Sequence, residues 1–554
     1  MMIENAGEWY SLAIFLVLVL CAAGIVLYRI DSHAFLYFGD AASRLVKSRE
    51  FIDSQHPGLS NIGTVWLPLP QLLLIPFASI NALFYSGIAG AVVGIPYLVG
   101  TGLLLFGIIR RMTHSRPIAF LGACLFVLNP NVVYMALTPM SETSLFFFVT
   151  LGGYALLRWL ETDSVKWLLL CAVAVMLATL CRYEAWILAP FVILVSASKG
   201  IRLWKESKRL SAIGIVAISS ISLSGIAFWL IWNAAVYGNV FEFLHWSASI
   251  ATAVPRNSVQ HSPMANLLTF GRAVLTIFGP VLLLVAAVAF IHFRHKPGEW
   301  KRSLLLLFFS LPPLFIFYAL MTDRIYMDQW WWNWRFVLTL GLFLSVASAM
   351  GLTELFSTVR STVIRVTVIA GLLALPLVQL AVPEVGVATF KDAAKSALDV
   401  TRYSTAMGER LHFIDHRGSI ALLTGYGQAE RIMISSGLPL KRFHIICYPD
   451  KRDSLEPLSA SDRYVVVEND LTPKAQELVG NWVARAAPQI RNFAIFRQDG
   501  PYIFMEQRES LAFRKWNESA RKPAPEFANT RRKEMFPKSP KDTIRLETRQ
   551  VRKL

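Results

Sequence analysis

Over the first 385 positions the apolar residues come in unbroken blocks parted by short charged stretches, rather than alternating with polar ones. The blocks are about 15–24 residues long, the length an α-helix needs to cross roughly 30 Å of hydrocarbon. The pattern predicts eleven membrane-spanning helices, over 9–28, 86–109, 117–136, 143–159, 167–181, 185–198, 212–234, 272–291, 303–320, 336–352 and 366–383. The connections "RRMTHSR" (110–116), "KGIRLWKESKR" (199–209), "HFRHKPGEWKR" (292–302) and the one holding Arg360 and Arg365 are rich in basic residues. They alternate so as to share one side, which the distribution of basic residues marks as cytoplasmic. The loops around 137–142 and 235–271 hold only Arg256 and belong to the other side. An odd number of spans then puts the N-terminus inside and everything after 384 outside. The stretch 167–198 is short for two crossings, so "LCRYEAW" is expected to be a tight outer turn. "WLPLPQLLLIPFASI" (66–80) is apolar but carries Pro68, Pro70 and Pro76. Backbone with unmet hydrogen bonds does not cross lipid, so this piece is expected at the interface, within a long first external loop at 29–85.

Past position 388 the pattern changes. "SIALLT" (419–424), "FHIICY" (443–448), "YVVVE" (464–468) and "FAIFR" (493–497) read as strands, and 391–411 and 473–487 as helices. Residues 388–507 are long enough for an extracytoplasmic α/β domain. Residues 508–554 mix prolines with 14 Lys/Arg against 6 Asp/Glu; this basic tail is expected to be disordered. The fold class is therefore a polytopic α-helical membrane protein, 1–387, followed by the α/β domain and the tail.

Composition agrees: 55% of residues are hydrophobic and 16% charged, against about 45–50% and about 25% in soluble domains. The net charge of +17 sits in loops and tail, so it points to membrane lipids and not to nucleic acid. The five cysteines, Cys21, Cys124, Cys171, Cys181 and Cys447, show no CxxC spacing, which gives neither a disulfide framework nor a zinc site. No Lys or Arg precedes the first apolar block, which is expected to stay as a helix rather than be cleaved.

Against this background the ionisable residues at the outer ends of the spans stand out. Asp40 opens "DAASRLVKSREFI" in the first loop, Glu142 begins the helix of "LTPMSETSLFFF", Arg182 and Glu184 lie in the third outer turn, and Arg335 ends "DQWWWNWR". Asp40 and Glu142 each have a bland role, as a helix cap or a first-turn acid favoured by the helix dipole. Two residues apart, Arg182 and Glu184 would not face each other on a helix, so each is expected to need another partner. Arg335 has the wrong sign for a helix start. It calls for an anion, either Asp328 or a phosphate gripped by the guanidinium fork. Trp334 and its tryptophan neighbours serve as interface anchors or as a stacking surface for a sugar. Carboxylates with a phosphate-binding cation suit glycosyl transfer from a lipid-linked sugar. The attacking hydroxyl needs a base, and the departing phosphate needs an arginine or a metal. A transporter or lipid flippase also uses such charges, but nearer the membrane midplane.

In order along the chain, "GDAASRLVKSREF", "IGTVWLPLPQLLLIPF", "NPNVVYMALTPMSETSLFFF", "CRYEAW" and "WNWRFVLTL" resemble the C-type, membrane-embedded glycosyltransferases, especially the family 39-like, phospholipid-carrier-dependent members. The resemblance implies an inverting transfer from a polyprenyl-phosphate sugar to an acceptor hydroxyl of a glycan, lipid or protein. It implies that Asp40 is the base or acceptor-site carboxylate, that Glu142 organises the site or a divalent cation such as Mg or Mn, and that Arg335 contacts the donor phosphate. Arg182 and Glu184 recur in similar sequences. The first-loop acid is often followed by a second one; here Ala41 follows, which keeps Asp31 and Asp53 open as alternative bases. The Trp-Trp-Asp motif of oligosaccharyltransferases is absent from the α/β region, which argues against transfer to asparagine.

Overall fold

The computed structural model describes residues 6–63, 65–244, 262–295, 300–328, 332–382, 386–397, 402–414, 418–424, 427–445, 462–468, 493–499 and 502–507. Among these, nine helices are long and apolar enough to cross a membrane: Gly7–Ile30, Ala89–Thr113, Glu142–Thr162, Tyr183–Lys205, Arg209–Tyr237, Pro263–Ala289, Trp300–Met321, Trp334–Thr358 and Thr362–Ala381. The two other expected spans are altered. The block 117–136 is a pair of helices, Arg116–Val127 and Pro130–Leu137, bent by 59°. Val165–Thr179 has only 15 residues, about 22 Å of helix.

The bend has a local cause. Pro130 cannot continue the preceding helix, and the Asn129 side chain accepts the Asn131 N–H at 3.0 Å to cap the new one. The remaining polar groups are met by neighbours. Asn129 Nδ2 donates to the Ile277 carbonyl (2.9 Å), and Asn131 Oδ1 accepts the Thr389 N–H (3.0 Å). Elsewhere helices approach closely through glycine, as packing in lipid favours. A Cβ on Gly94 would lie 2.2 Å from the Ala136 carbonyl oxygen, and one on Gly90 the same distance from the Pro139 nitrogen. The long helix Ala89–Thr113 thus rests backbone to backbone on the segment that leads into Glu142.

The ends of the bundle are sorted by charge. Glu8 pairs with Arg110 (3.0 Å) and Arg116 (2.8 Å), Arg111 with Glu161 (3.3 Å), and Lys199 with Asp163. The N-terminal helix therefore begins at the same end as two of the basic connections. The first loop lies at the other end. Its helix Leu69–Ala78 is too short to span, and its helix Gly39–Glu50 is nailed to it by Arg49. That guanidinium donates to the carbonyls of Ala78 and Ser79 (2.8 Å each) and to Asn81 Oδ1 (2.7 Å).

The C-terminal region forms a five-stranded sheet of β1 (Ser419–Leu423), β2 (Phe443–Ile445), β3 (Asp462–Glu468), β4 (Phe493–Asp499) and β5 (Tyr502–Gln507), in the order β2-β1-β3-β5-β4. β1 is parallel to both β2 and β3; the β3–β5 and β5–β4 pairs are antiparallel. The four expected strands are present; β5, and the helix Gln428–Ser436 after β1, are additions to the sequence reading. In the stretch 391–411 the described helices are Ala388–Ser396 and Arg402–Leu411. The expected helix at 473–487 and the tail 508–554 lie outside the described residues. One face of the sheet packs on the first loop. Ile420, Leu422, Ile432 and Tyr464 share one apolar cluster with Leu36, Ala42, Leu45, Val46 and Phe84 of the first loop.

Candidate active site

Five charged side chains from four separate segments meet at the end of the bundle that carries the first loop. Asp40 sits in the first turn of Gly39–Glu50, after an extended Phe38. Arg335 lies in a short 3-10 turn, Trp334–Thr339, that continues directly into the helix Leu340–Thr358. Its Nη2 donates to Asp40 Oδ2 at 2.6 Å, and its Nε faces Glu142 Oε1 at 3.6 Å. Glu142 starts the helix Glu142–Thr162, and the same Oε1 accepts a hydrogen bond from Arg182 Nη1 at 2.9 Å. Arg182 Nε also donates to Glu184 Oε1 at 2.5 Å.

That last contact corrects the expectation drawn from helical spacing. Arg182 is extended (φ −154°, ψ 149°) and Glu184 belongs to the 3-10 turn Tyr183–Ala185, so the two do face each other. The turn is pinned to the first loop, with Tyr183 Oη donating to the Val65 carbonyl (2.9 Å) and the Leu69 N–H to the Leu180 carbonyl (3.1 Å). Aromatic rings line the network. Arg335 stacks over Phe38 at 4.9 Å, and Arg335 and Arg182 both lie over Phe336, at 5.5 and 5.4 Å.

Among the described residues, two buried atoms in this network have no hydrogen-bond partner: the donor Arg335 Nε and the acceptor Glu142 Oε2. A buried polar atom left unpaired costs about 1–3 kcal/mol, more when charged. Each such atom calls for an explanation, whether a water, an ion, a ligand or local strain. The electrostatics favour a resting ion pair. Burial by itself would raise the Asp40 carboxyl, but Arg335, and after it Arg44, hold it below the ordinary carboxylate value.

The other sequence candidates are placed elsewhere. Trp334 is 2% exposed and its indole N–H donates to the Asp328 carbonyl at 2.7 Å, so its ring is built into the core and is not offered to a sugar. Asp328 accepts the Trp332 N–H (3.2 Å) and lies 3.8 Å from Lys395 Nζ; Arg335 turns to Asp40 instead. Asp31 accepts from the His33 N–H (2.7 Å) and from the Tyr37 hydroxyl. Asp53 accepts from Arg49 Nε and from the N–H groups of Leu440 and Lys441, each at 3.2 Å.

Sequence reasoning missed Arg44 and Asp392. Arg44 lies four residues after Asp40 on a helix, a spacing that could have been read. Asp392, on the helix Ala388–Ser396, is 3% exposed and accepts the Asn333 N–H at 2.9 Å. It fixes Asn333 in its left-handed conformation (φ 61°), two residues before Arg335. Burial pushes its carboxyl up to about 7, although Arg335 pulls the other way. No local pattern marks it.

This architecture has known counterparts. Residues 78–232 match the family described as dolichyl-phosphate-mannose-protein mannosyltransferase. The matched segment includes Glu142, Arg182 and Glu184. Among solved structures, ArnT from Cupriavidus metallidurans bound to undecaprenyl phosphate is similar over 90% of this chain and 98% of its own, with 14% identity and a TM-score of 0.50. The Archaeoglobus fulgidus oligosaccharyltransferase tethered with an acceptor peptide aligns over 87% of this chain and 72% of its own (10% identity, TM-score 0.45). The mycobacterial arabinofuranosyltransferase AftD aligns over 88% and 41% (14% identity, TM-score 0.41). A comparison with curated proteins finds no match. The likeness to the ArnT structure shows a shared helical membrane fold.

Proposed function

We propose that this protein is an inverting glycosyltransferase that moves a sugar from a polyprenyl-phosphate donor to an acceptor hydroxyl, at the outer face of a cytoplasmic membrane. The observation that carries the reading is the convergence of Asp40, Glu142, Arg182 and Arg335 in one ion-pair network, within which Arg335 Nε and Glu142 Oε2 are buried and make no hydrogen bond among the described residues. The first is a donor suited to a phosphate oxygen, the second an acceptor suited to a sugar or acceptor hydroxyl. The ArnT structure that shares the fold holds undecaprenyl phosphate, in keeping with such a donor.

The resting geometry supports one order of events. Arg335 is held by Asp40 at 2.6 Å, and while it is, Asp40 is a poor base. A donor phosphate competes for the guanidinium. As Arg335 turns to it, Asp40 loses its strongest cationic partner and its proton affinity rises. The acceptor O–H then gives its proton to Asp40 as its oxygen bonds to the anomeric carbon. The bond from that carbon to the phosphate oxygen breaks, and the electron pair leaves on polyprenyl phosphate, where Arg335 offsets the charge. One displacement inverts the centre. Glu142 and Glu184 hold Arg182 and complete the wall.

Asp40 Oδ2 and Glu142 Oε1 face arginines in the resting site, and among the described residues no three His, Cys, Asp or Glu side chains gather as an all-protein metal site would need. A magnesium ion shared between one or two carboxylates and a substrate phosphate would be held by Glu142 and Asp40 and would supply positive charge to the departing phosphate. No step is routed through a metal.

The test is release of polyprenyl phosphate, followed by mass spectrometry, from a panel of polyprenyl-phosphate sugars offered with an acceptor extract to the protein in nanodiscs. Asp40→Asn is expected to cut release by about 10²–10⁴-fold, the usual worth of a general base. Equal release by both proteins would remove Asp40 from the role; no release from any donor would overturn the proposed reaction.

A further inference from the structure

The segment that delivers Asp40 is gripped from two sides. Residues Ala34–Leu36 form a buried 3-10 turn, Tyr37 and Phe38 follow, and the helix Gly39–Glu50 begins. On the membrane side Tyr134 Oη donates to the Ala34 carbonyl (2.9 Å), and Arg335 holds both the Phe38 ring and the Asp40 carboxylate. On the other side is Arg431, from the helix Gln428–Ser436 of the C-terminal domain. It is 2% exposed, and its Nη2 donates to the Leu36 carbonyl. Burial draws its guanidinium down to about 10, so it stays charged at neutral pH, facing Asp31, Tyr37 and Tyr134.

A buried cation on a backbone carbonyl is an expensive way to join two domains. The joint does not need it for adhesion. The apolar cluster shared by Leu45, Val46, Ile432 and Met433 already provides that. So do Asp53 with the Leu440 and Lys441 N–H groups, and Tyr85 Oη with the Leu438 carbonyl (3.0 Å). What Arg431 adds is direction. It fixes the carbonyl four residues before Asp40, at the point where the chain turns into the helix. The neighbouring Glu430, fully buried, faces Lys47 and Ser43 on the same helix.

We propose that Arg431 is a positioning residue for Asp40, and that the C-terminal domain completes the active site by holding the first loop rather than by gathering acceptor alone. This rests on the glycosyl-transfer reading for its kinetic consequence, though not for its structural one. A misplacement of about 1 Å at a reacting group costs up to about 10²-fold in rate.

The experiment uses the full chain in nanodiscs and compares wild type, Arg431→Met and Arg431→Lys. Amide hydrogen exchange, which reports local opening, is expected to rise in Arg431→Met across 36–45 while 142–162 is unchanged. Turnover should fall by about 10–10²-fold with binding of polyprenyl phosphate unaltered, because Arg335 remains. Arg431→Lys, whose ammonium can still donate to the Leu36 carbonyl, should recover part of both. Unchanged exchange at 36–45 with unchanged turnover would overturn the proposal. So would exchange that rises through the whole chain together with loss of phosphate binding, the mark of a merely structural residue. If wild type transfers no sugar at all, the reaction assigned above fails, while the exchange pattern still decides whether Arg431 positions the loop.

Discussion

Replacing Arg335 by lysine keeps the charge and removes the fork. The guanidinium makes three kinds of contact: the Asp40 hydrogen bond at 2.6 Å, the approach to Glu142 at 3.6 Å, and stacking on Phe38 and Phe336 at 4.9 and 5.5 Å. A lysine ammonium can keep one carboxylate but not the second arm or the flat stacking face. A charge-assisted hydrogen bond is worth about 1.5–3 kcal/mol, and a desolvated cation–π contact about 2 kcal/mol. If the second arm and the stacking are what a donor phosphate exploits, roughly 3.5–5 kcal/mol of transition-state stabilisation is lost. That is about 300- to 4,000-fold in kcat/KM at about 1.4 kcal/mol per factor of ten. The assay is kcat/KM for the polyprenyl-phosphate sugar across pH, with polyprenyl phosphate binding followed separately. The sign of the pH effect is fixed. Arg335 lowers the Asp40 carboxyl, so weakening it raises that carboxyl, and the acid limb of the profile moves to higher pH. A variant within threefold of wild type at every pH, with its acid limb in place, would refute the role given to Arg335.

Two further outcomes are expected. Arg182→Met leaves Glu142 and Glu184 buried without their shared cation, which should cost about 3–5 kcal/mol of stability; adding Glu184→Gln should recover part of it, read as the thermal midpoint in detergent. Asp392 ionises at about 7 in the fold but near 3.9 unfolded. The folded state therefore binds more protons between these values, and stability falls as pH rises from about 4 to about 7. Asp392→Asn, which keeps a carbonyl oxygen for the Asn333 N–H, should flatten that slope in a pH series of thermal midpoints; an unchanged slope would count against it.

Much of the site was legible because the chain is so apolar. A carboxylate or guanidinium at the mouth of a span is conspicuous against such a background, and Asp40, Glu142, Arg182, Glu184 and Arg335 were all nominated that way. Trp334 is suggested only by standing next to Arg335, and its indole N–H is bonded to the Asp328 carbonyl. Arg431 and Asp392 were not legible. Asp392 lies in a stretch that reads as ordinary helix and Arg431 in one to which the sequence pattern assigns no element, and each meets a backbone group far away in sequence.

The order of residues alone shows that the chain is a helical membrane protein with an α/β appendage, roughly where its long apolar helices lie, and which charges are out of place. These follow from local properties: a run of apolar side chains must be buried in lipid or protein, whatever the rest of the chain does. Only the tertiary structure decided that 116–137 bends at Pro130, that the sheet shares its core with the first loop, and which ions pair. Asp40 and Arg335 are 295 positions apart. Nothing local distinguishes Arg335–Asp40 from Arg335–Asp328. The choice falls to how the helix ends pack, because an ion pair is decided by a few ångströms that only the assembled bundle sets.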